Sequence, residues 1–349
     1  MKSINLANID VNKPVDAQKD GETAIYKPYR SLLAPEQLKK LSKLCPRKPA
    51  ADVIMLWLGI FAAWGLVAWH PNWWTVLLAI PVIGTRFYGL FIIGHDGMHR
   101  RVLNSVAAND LFCDIFIFGP IGAITRINNK NHLQHHKHLS TEHDPDRHKH
   151  ACFNKATVPE YILFLSGFKS LTTVLKNVYK LNYKISKEEH ERERKDLNYN
   201  LRDSAILIGW QGALILGLTT AIGWWAYFVL WILPIFIHVF LADLVRSFLE
   251  HASAESDEEA DEHRLISYQS NRIEKTLLAP MNMNYHAAHH LWTSIPYYNL
   301  PEANNILKKS KFSQKILWRN SYFNFAIKYF LSLPLVECQQ EHNKNFRNN

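Results

Sequence analysis

Cysteine is scarce in this chain. Cys45, Cys113, Cys152 and Cys338 are the only four among 349 residues, and none forms a CxxC pair. They suggest neither a disulfide frame nor a cysteine zinc site. No HExxH sequence occurs, which counts against a zinc peptidase. The first 50 residues are polar and lack an apolar core ahead of a small-residue cleavage site, so a cleavable secretory signal is not expected. The formal charge is +9 and the pI about 9.2. Lys and Arg do not interleave with aromatics as in nucleic-acid binders, so no nucleic-acid partner is expected and anionic lipid headgroups fit the basic flanks better. The most consequential absence is of charge: residues 53–94 and 205–249 are nearly free of it. A mean hydropathy of −0.17 conceals both blocks, because the charged residues lie outside them. With 48% hydrophobic and 12% aromatic residues, disorder is excluded, and a wholly soluble globule is not the first reading.

The apolar blocks are long enough to span a membrane. Residues 53–69 form an uninterrupted apolar run; His70, Pro71 and Asn72 follow, and then 73–94 with Arg86 as its one charge. At a rise of about 1.5 Å per residue, helices of this length cross a hydrocarbon layer of about 30 Å. The pattern recurs at 205–222 and 224–248 around Gly223. Trp64, Trp69, Trp73, Trp74, Trp224 and Trp225 cluster near the two turns, as in an interfacial aromatic belt. Basic residues crowd 1–52 and 95–203 and are missing from the turns, which places both termini and the long middle segment in the cytoplasm. Residues 111–124 are apolar but short and broken by Gly119 and Pro120, so they read as interfacial or re-entrant. Residues 158–183 read as a membrane-surface helix, 186–203 as a charged cytoplasmic helix and the acidic run 255–262 as a solvated loop. The expected fold class is all-α: a multi-pass membrane protein with four transmembrane helices in two hairpins and a cytoplasmic histidine-rich helical cap. Its parts are a cytoplasmic N-terminal segment 1–52, a membrane domain with its cap at 53–310, and a cytoplasmic C-terminal segment 311–349.

Histidine is abundant, with 18 residues, and three clusters stand out: His95-Asp96-Gly97-Met98-His99, His132-Leu133-Gln134-His135-His136 and His286-Ala287-Ala288-His289-His290. Residues three and four apart share a helical face, so each cluster can aim several imidazoles at one point. A lone histidine is ordinarily a hydrogen-bonded or exposed side chain, and His70, His190, His263 and His342 are read so. His143, His148 and His150 fall in a charged loop, and His138 has a spacing compatible with either role. His251 lies on one helical face with Asp243 and Ser247 at the exit of the last apolar stretch, matching the place of the first cluster. His238 lies deeper in that stretch and suits a cavity lining or an interhelical hydrogen bond as well as ligation. Arg86 is suited to pairing with Asp243 or with a substrate headgroup. Nine imidazoles exceed the needs of one ion and suggest two metals with positions left for water or oxygen. Imidazole accepts iron, copper, zinc and nickel alike, so identity stays open at this point. Asp96, Glu250, Asp144 and Asp146 stand near candidate ligands and are suited to holding their far nitrogens; a helix cap for Asp96 and a turn for the Asp144–Asp146 stretch are the plain alternatives.

With HDGMH at 95–99, HLQHH at 132–136 and HAAHH at 286–290 in this order between two pairs of spans, the chain resembles the membrane fatty-acid desaturase superfamily over about residues 50–310. That superfamily includes membrane hydroxylases and ketolases. The resemblance implies a non-haem centre of two iron ions, O2 as co-substrate, a lipid or acyl substrate, and a separate electron donor such as ferredoxin or cytochrome b5. It assigns His95, His99, His132, His135, His136, His286, His289 and His290 as metal ligands, and His251 as the extra ligand some members carry. It implies no catalytic residue beyond those ligands. Two departures matter. The third cluster begins with His286 where front-end desaturases have Gln, and no HPGG segment is present; Ser247 also stands where some desaturases place an Asn that holds a metal through water. The leading expectation is a desaturase that introduces a C=C bond into a lipid chain; the alternative is a hydroxylase or ketolase of a carotenoid or other lipid. A metal transporter is disfavoured because the histidines gather at one interface and form no polar path through the spans.

Overall fold

The charge-poor stretches fold as long helices. In the computed structural model of the protein, the described residues are 31–139, 144–146, 149, 157–168, 172, 200–251 and 265–335. They form α1 (Pro35–Leu41), α2 (Arg47–Trp69), α3 (Trp73–Met98), α4 (Val106–Cys113), α5 (Thr125–His138), α6 (Val158–Leu165), α7 (Leu201–Ala221), α8 (Phe228–His251), β1 (Ile266–Tyr268), α9 (Arg272–Leu277), α10 (His286–Leu291), α11 (Leu300–Lys309), β2 (Leu317–Arg319) and α12 (Tyr322–Ser332). The all-α expectation needs one correction. β1 and β2 pair in parallel, Ile266 opposite Leu317 and Tyr268 opposite Arg319. Strands this short carry no readable alternation, and their pairing across the intervening chain has no local signal.

Helices α2, α3, α7 and α8 are long and apolar enough to cross a membrane. In α2, Val53, Leu56, Trp57, Ile60, Ala63 and Val67 are buried at helical spacing, while Ile54, Met55, Leu58 and Phe61 are exposed. An apolar face turned outward is what lipid as a solvent permits. Asn72 starts α3 with a capping box: its side chain accepts from the N–H of Trp74 and of Thr75, and Thr75 reciprocates toward the Asn72 N–H. α2 packs along α3, and α8 packs on α3 as well.

The stretch read as re-entrant is part of a bent unit, in which 106–121 and α5 meet at 91°. Gly122 turns the chain there with φ +77°. Ile124 offers α5 no side-chain cap, and Asp114 Oδ1 takes the Thr125 N–H instead at 2.7 Å. Arg202 in turn holds Asp114 at 2.9 Å, and Arg126 holds Asp203 at 2.9 Å. α5, which carries the second histidine cluster, is thereby fixed to the start of α7.

Three indoles resolve the backbone defects of this apolar region. Proline lacks the N–H that a helix would direct at the carbonyl four residues earlier. Pro120 leaves the Phe116 carbonyl, and Trp57 Nε1 donates to it at 2.9 Å. Pro234 leaves the Leu230 carbonyl, and Trp64 Nε1 donates to it at 3.2 Å. The Pro120 carbonyl, past which the helix stops, accepts from Trp231 Nε1 at 3.1 Å and from Gln211 Nε2 at 3.0 Å. Unanswered polar backbone in apolar surroundings costs several kcal/mol per group, so these bonds decide which broken helices the bundle tolerates. Trp64, grouped by sequence with the belt tryptophans, therefore points inward, whereas Trp69, Trp73, Trp74 and Trp224 are exposed. Near Pro234, α8 runs in widened turns at 228–232 and 236–241.

Several sequence expectations fall partly or wholly outside the described residues: the N-terminal segment up to residue 30, most of the proposed surface helix beyond 168, the charged stretch 186–199, the acidic run 255–262, and His143, His148, His150, His190, His263 and His342. α6 is described. Its Tyr161 and Phe164 pack against Phe248 of α8.

Candidate metal centre

The first histidine cluster sits where α3 ends. His99 is the C-cap, Arg100 takes φ +57°, and the N–H groups of Arg100 and Arg101 bond the carbonyls of Gly97 and Asp96 at 2.9 Å each. This is the pairing by which a left-handed residue closes a helix, and it holds His95 and His99 on the last turn. The second cluster lies in the last turns of α5, and the third is α10 itself. α10 is seated on β1: the Ala287 N–H donates to Ser267 Oγ at 3.2 Å, and Asn284 exchanges bonds with the Tyr268 backbone. His251 closes α8. The Leu249 carbonyl, one of those left open at that helix end, accepts from Tyr268 OH at 2.7 Å and Arg319 Nη1 at 2.9 Å.

From these four elements the rings converge. His95, His99, His132, His136 and His289 each offer a ligand atom within 4.8 Å of one another, as do His135, His251 and His290. His286 joins the second set, its Nε2 at 3.0 Å from His251 Nε2 and 2.9 Å from His290 Nε2. All nine histidines singled out in the sequence are in this one cage, and all but His132 are buried.

Protons alone do not satisfy this arrangement. His99, His132 and His136 form a triangle of Nε2 atoms with sides of 2.8, 3.1 and 3.2 Å. A neutral ring nitrogen is either donor or acceptor, and three members of a closed triangle cannot alternate, so at least one pair must clash. Full protonation is no remedy. Burial, assisted by Arg101, pulls His99 down to about 3. Burial first, and neighbouring rings next, hold His286, His289 and His290 well below the ordinary imidazole range. A cation at the centre resolves the clash. Imidazole nitrogens at roughly 2.0–2.1 Å from one ion and at right angles stand about 3 Å apart, as these do. The residues present fit a metal.

The fatty acid desaturase family model matches residues 71–321, well over half the chain and all three histidine clusters. The chain belongs to that family. As a family member with four apolar helices of spanning length, it is an integral membrane protein and an oxidoreductase by class. It is 26% identical over 257 residues to the beta-carotene ketolase of Paracoccus sp. (strain N81106 / MBIC 01143), covering 70% of this chain and 88% of that one. It is 25% identical over 272 residues to the sn-1 oleoyl-lipid 12-desaturase of Arthrospira platensis, covering 74% of each. It is 24% identical over 279 residues to the dihydrorhizobitoxine desaturase of Bradyrhizobium elkanii, covering 77% of this chain and 78% of that one.

In this desaturase-family chain the carboxylates near the cage sort unevenly. Asp144 Oδ1 lies 2.9 Å from His135 Nδ1, and Glu250 Oε2 lies 3.2 Å from His286 Nδ1. Asp96, adjacent to His95, instead accepts the Tyr297 N–H at 2.6 Å. Asp146 binds Lys149 at 3.2 Å. His138 lies outside the converging sets. His238 is buried in α8 with Nδ1 3.3 Å from the Pro234 carbonyl, in a space that Gly84 leaves open, since a Cβ there would strike the ring. Arg86 is exposed and its stem crosses Gly59, while Asp243 pairs with Arg246 at 2.9 Å. Sequence reasoning passed over Arg246, Lys149 and Tyr322. Arg246 had a signal, standing three residues after Asp243 and four before Glu250 on one helix face; Lys149 and Tyr322 reach the site only through the fold.

Proposed function

We propose that the protein is an oxygen-dependent di-iron desaturase that introduces a C=C bond into a lipid chain, acyl-lipid or acyl-carrier. The observation that carries this reading is the single cage of nine imidazoles at the ends of α3 and α8, in a chain of the fatty acid desaturase family. His95, His99, His132, His136 and His289 would hold one iron ion, and His135, His251, His286 and His290 the other. Iron held there supplies the oxygen activation needed to remove hydrogens from an unactivated carbon chain, chemistry that belongs to the cofactor.

The protein's own part is to keep the rings neutral, buried and aimed. Asp144 fixes the His135 tautomer by accepting from Nδ1, which leaves Nε2 as the acceptor facing the cage. Helices α3 and α8 deliver His95 and His251 at their ends, where an apolar chain partitioned into the lipid would reach the cage from the membrane. The four spans are read as two hairpins with the termini and histidines on the cytoplasmic side, within reach of a soluble or peripheral electron donor such as ferredoxin or cytochrome b5. The membrane domain is taken as 53–310, flanked by cytoplasmic segments 1–52 and 311–349.

A second reading, a hydroxylase or ketolase of a carotenoid or other lipid, is favoured by the similarity to a beta-carotene ketolase. The test is to express the chain in a host supplied with a reductant and with both substrate classes, then analyse the lipids and the metal content. New double bonds without added oxygen support desaturation, oxygenated lipid or pigment supports the alternative, and unchanged lipids with no bound metal overturn both.

A further inference from the structure

We propose that the two halves of the cage are unequal metal sites, and that the half built from His135, His251, His286 and His290 binds its ion more tightly and fills first. This rests on the metal reading above and goes beyond it by ranking the two positions.

The inequality lies behind the rings. A carboxylate on the far nitrogen of a ligating imidazole fixes its tautomer and raises its basicity, and losing such a partner typically costs about 10- to 100-fold in metal affinity. His135 Nδ1 is hydrogen-bonded to Asp144 at 2.9 Å, and Glu250 lies within ion-pair distance of His286 Nδ1, at 3.2 Å. Both carboxylates are themselves held. Glu250 accepts from Arg246 Nη1 at 2.8 Å and from Tyr322 OH at 2.6 Å. Arg246 Nη2 reaches Asp243 at 2.9 Å, Lys149 lies 3.7 Å from Asp243 and 3.2 Å from Asp146, and the Asp146 N–H donates to Asp144 Oδ1 at 2.8 Å. One chain of charges thus links the groups behind His286 to those behind His135. It contains four carboxylates, Asp144, Asp146, Asp243 and Glu250, against two cations, Arg246 and Lys149.

Nothing comparable backs the other half. Among the described residues, no carboxylate lies within ion-pair distance of His95, His99, His132, His136 or His289. Asp96, the nearest acid in sequence, is turned to the Tyr297 backbone. These five rings have more nitrogens but, among the described residues, no carboxylate behind them.

The test is equilibrium dialysis of the metal-depleted full-length protein in detergent against Co2+, with bound cobalt and its visible ligand-field spectrum read together. Two classes of site separated by about tenfold or more are expected. Asp144→Asn and Glu250→Gln, each keeping a hydrogen-bonding side chain of the same size, should weaken the tight class by about 10- to 100-fold and leave the weak class nearly unchanged. His289→Ala should abolish the weak class and spare the tight one. Two equal classes, or carboxylate variants that weaken the other class instead, would overturn the ranking while leaving the metal reading intact. Failure to bind cobalt at all would overturn both.

Discussion

The apolar bundle and the histidine cage handle buried polar atoms in opposite ways. In the bundle, the carbonyls released by Pro120 and Pro234 are met by indole N–H groups of Trp57 and Trp64. In the cage, ring nitrogens of His99, His132 and His136 face one another about the same distance apart, with no donor–acceptor assignment that satisfies all three. A bundle of this kind is complete as polypeptide. The cage leaves ring nitrogens that a cation would satisfy, so its geometry is one able to hold a metal.

The sharpest break in that comparison comes from the ring that touches most of its neighbours. His136 Nε2 lies within 3.2 Å of the Nε2 atoms of His99, His132 and His289. His136→Ala should lower turnover by more than about a hundredfold, beyond the usual cost of losing an outer partner, and should reduce bound metal while the protein still inserts and purifies with its helical circular dichroism. Retained metal and near-normal product would remove His136 from the cage's function.

Acid should then separate the two regions. The buried His99 ring refuses its proton until about pH 3, whereas the unfolded imidazole accepts one near 6.5. Between those values the unfolded state binds more protons, so stability falls as pH falls, by about 1.4 kcal/mol per pH unit for each such histidine, and is insensitive to this group above 6.5. The metal-depleted protein should show a midpoint of thermal unfolding that is flat above pH 6.5 and declines below it. A midpoint unchanged down to pH 4 would contradict burial of the neutral rings.

The bundle side is probed by Trp64→Phe, which keeps the ring and removes the N–H from the Leu230 carbonyl. A loss of about 1–3 kcal/mol is expected, the cost of a buried acceptor without its donor, with bound metal unchanged. Pro234→Ala supplies a backbone N–H at the position that serves Leu230 in a regular helix. In the Trp64→Phe background it should recover part of the loss, and a double-mutant cycle measures the coupling. Additive effects of the two substitutions would refute the pairing of proline and indole.

The four apolar helices and the three histidine clusters were legible because both are local: a run without charge and a spacing of three or four residues each carry their meaning within one turn or one span. The inward turn of Trp64 was not, because an indole's partner is set by a proline on another helix, far away in sequence. Asp144 could be proposed beside Asp146 from their proximity to the second cluster, but only the folded loop shows that Asp144 faces His135 and Asp146 faces Lys149. The strands β1 and β2 were invisible for a similar reason, since each is three residues long and gains its identity from the other.

The smallest effect is expected at the junction between the two regions. Arg100 ends α3 immediately after His99 in a left-handed conformation, φ +57°, which a side chain with a Cβ adopts at a cost of roughly 1–2 kcal/mol. Arg100→Gly removes that cost but adds freedom to the unfolded chain. It also deletes an ion pair with Asp110 at 3.8 Å, which, being partly exposed, contributes at most about 1 kcal/mol. The three terms nearly cancel, leaving a change within about 0.5 kcal/mol, read as a small shift in chemical denaturation of the metal-depleted protein. If the backbone turn alone places His99, metal content stays at its original level in Arg100→Gly. A drop in bound metal without a drop in stability would mean instead that the Arg100 side chain, through Asp110, helps hold the end of α3 against the cage.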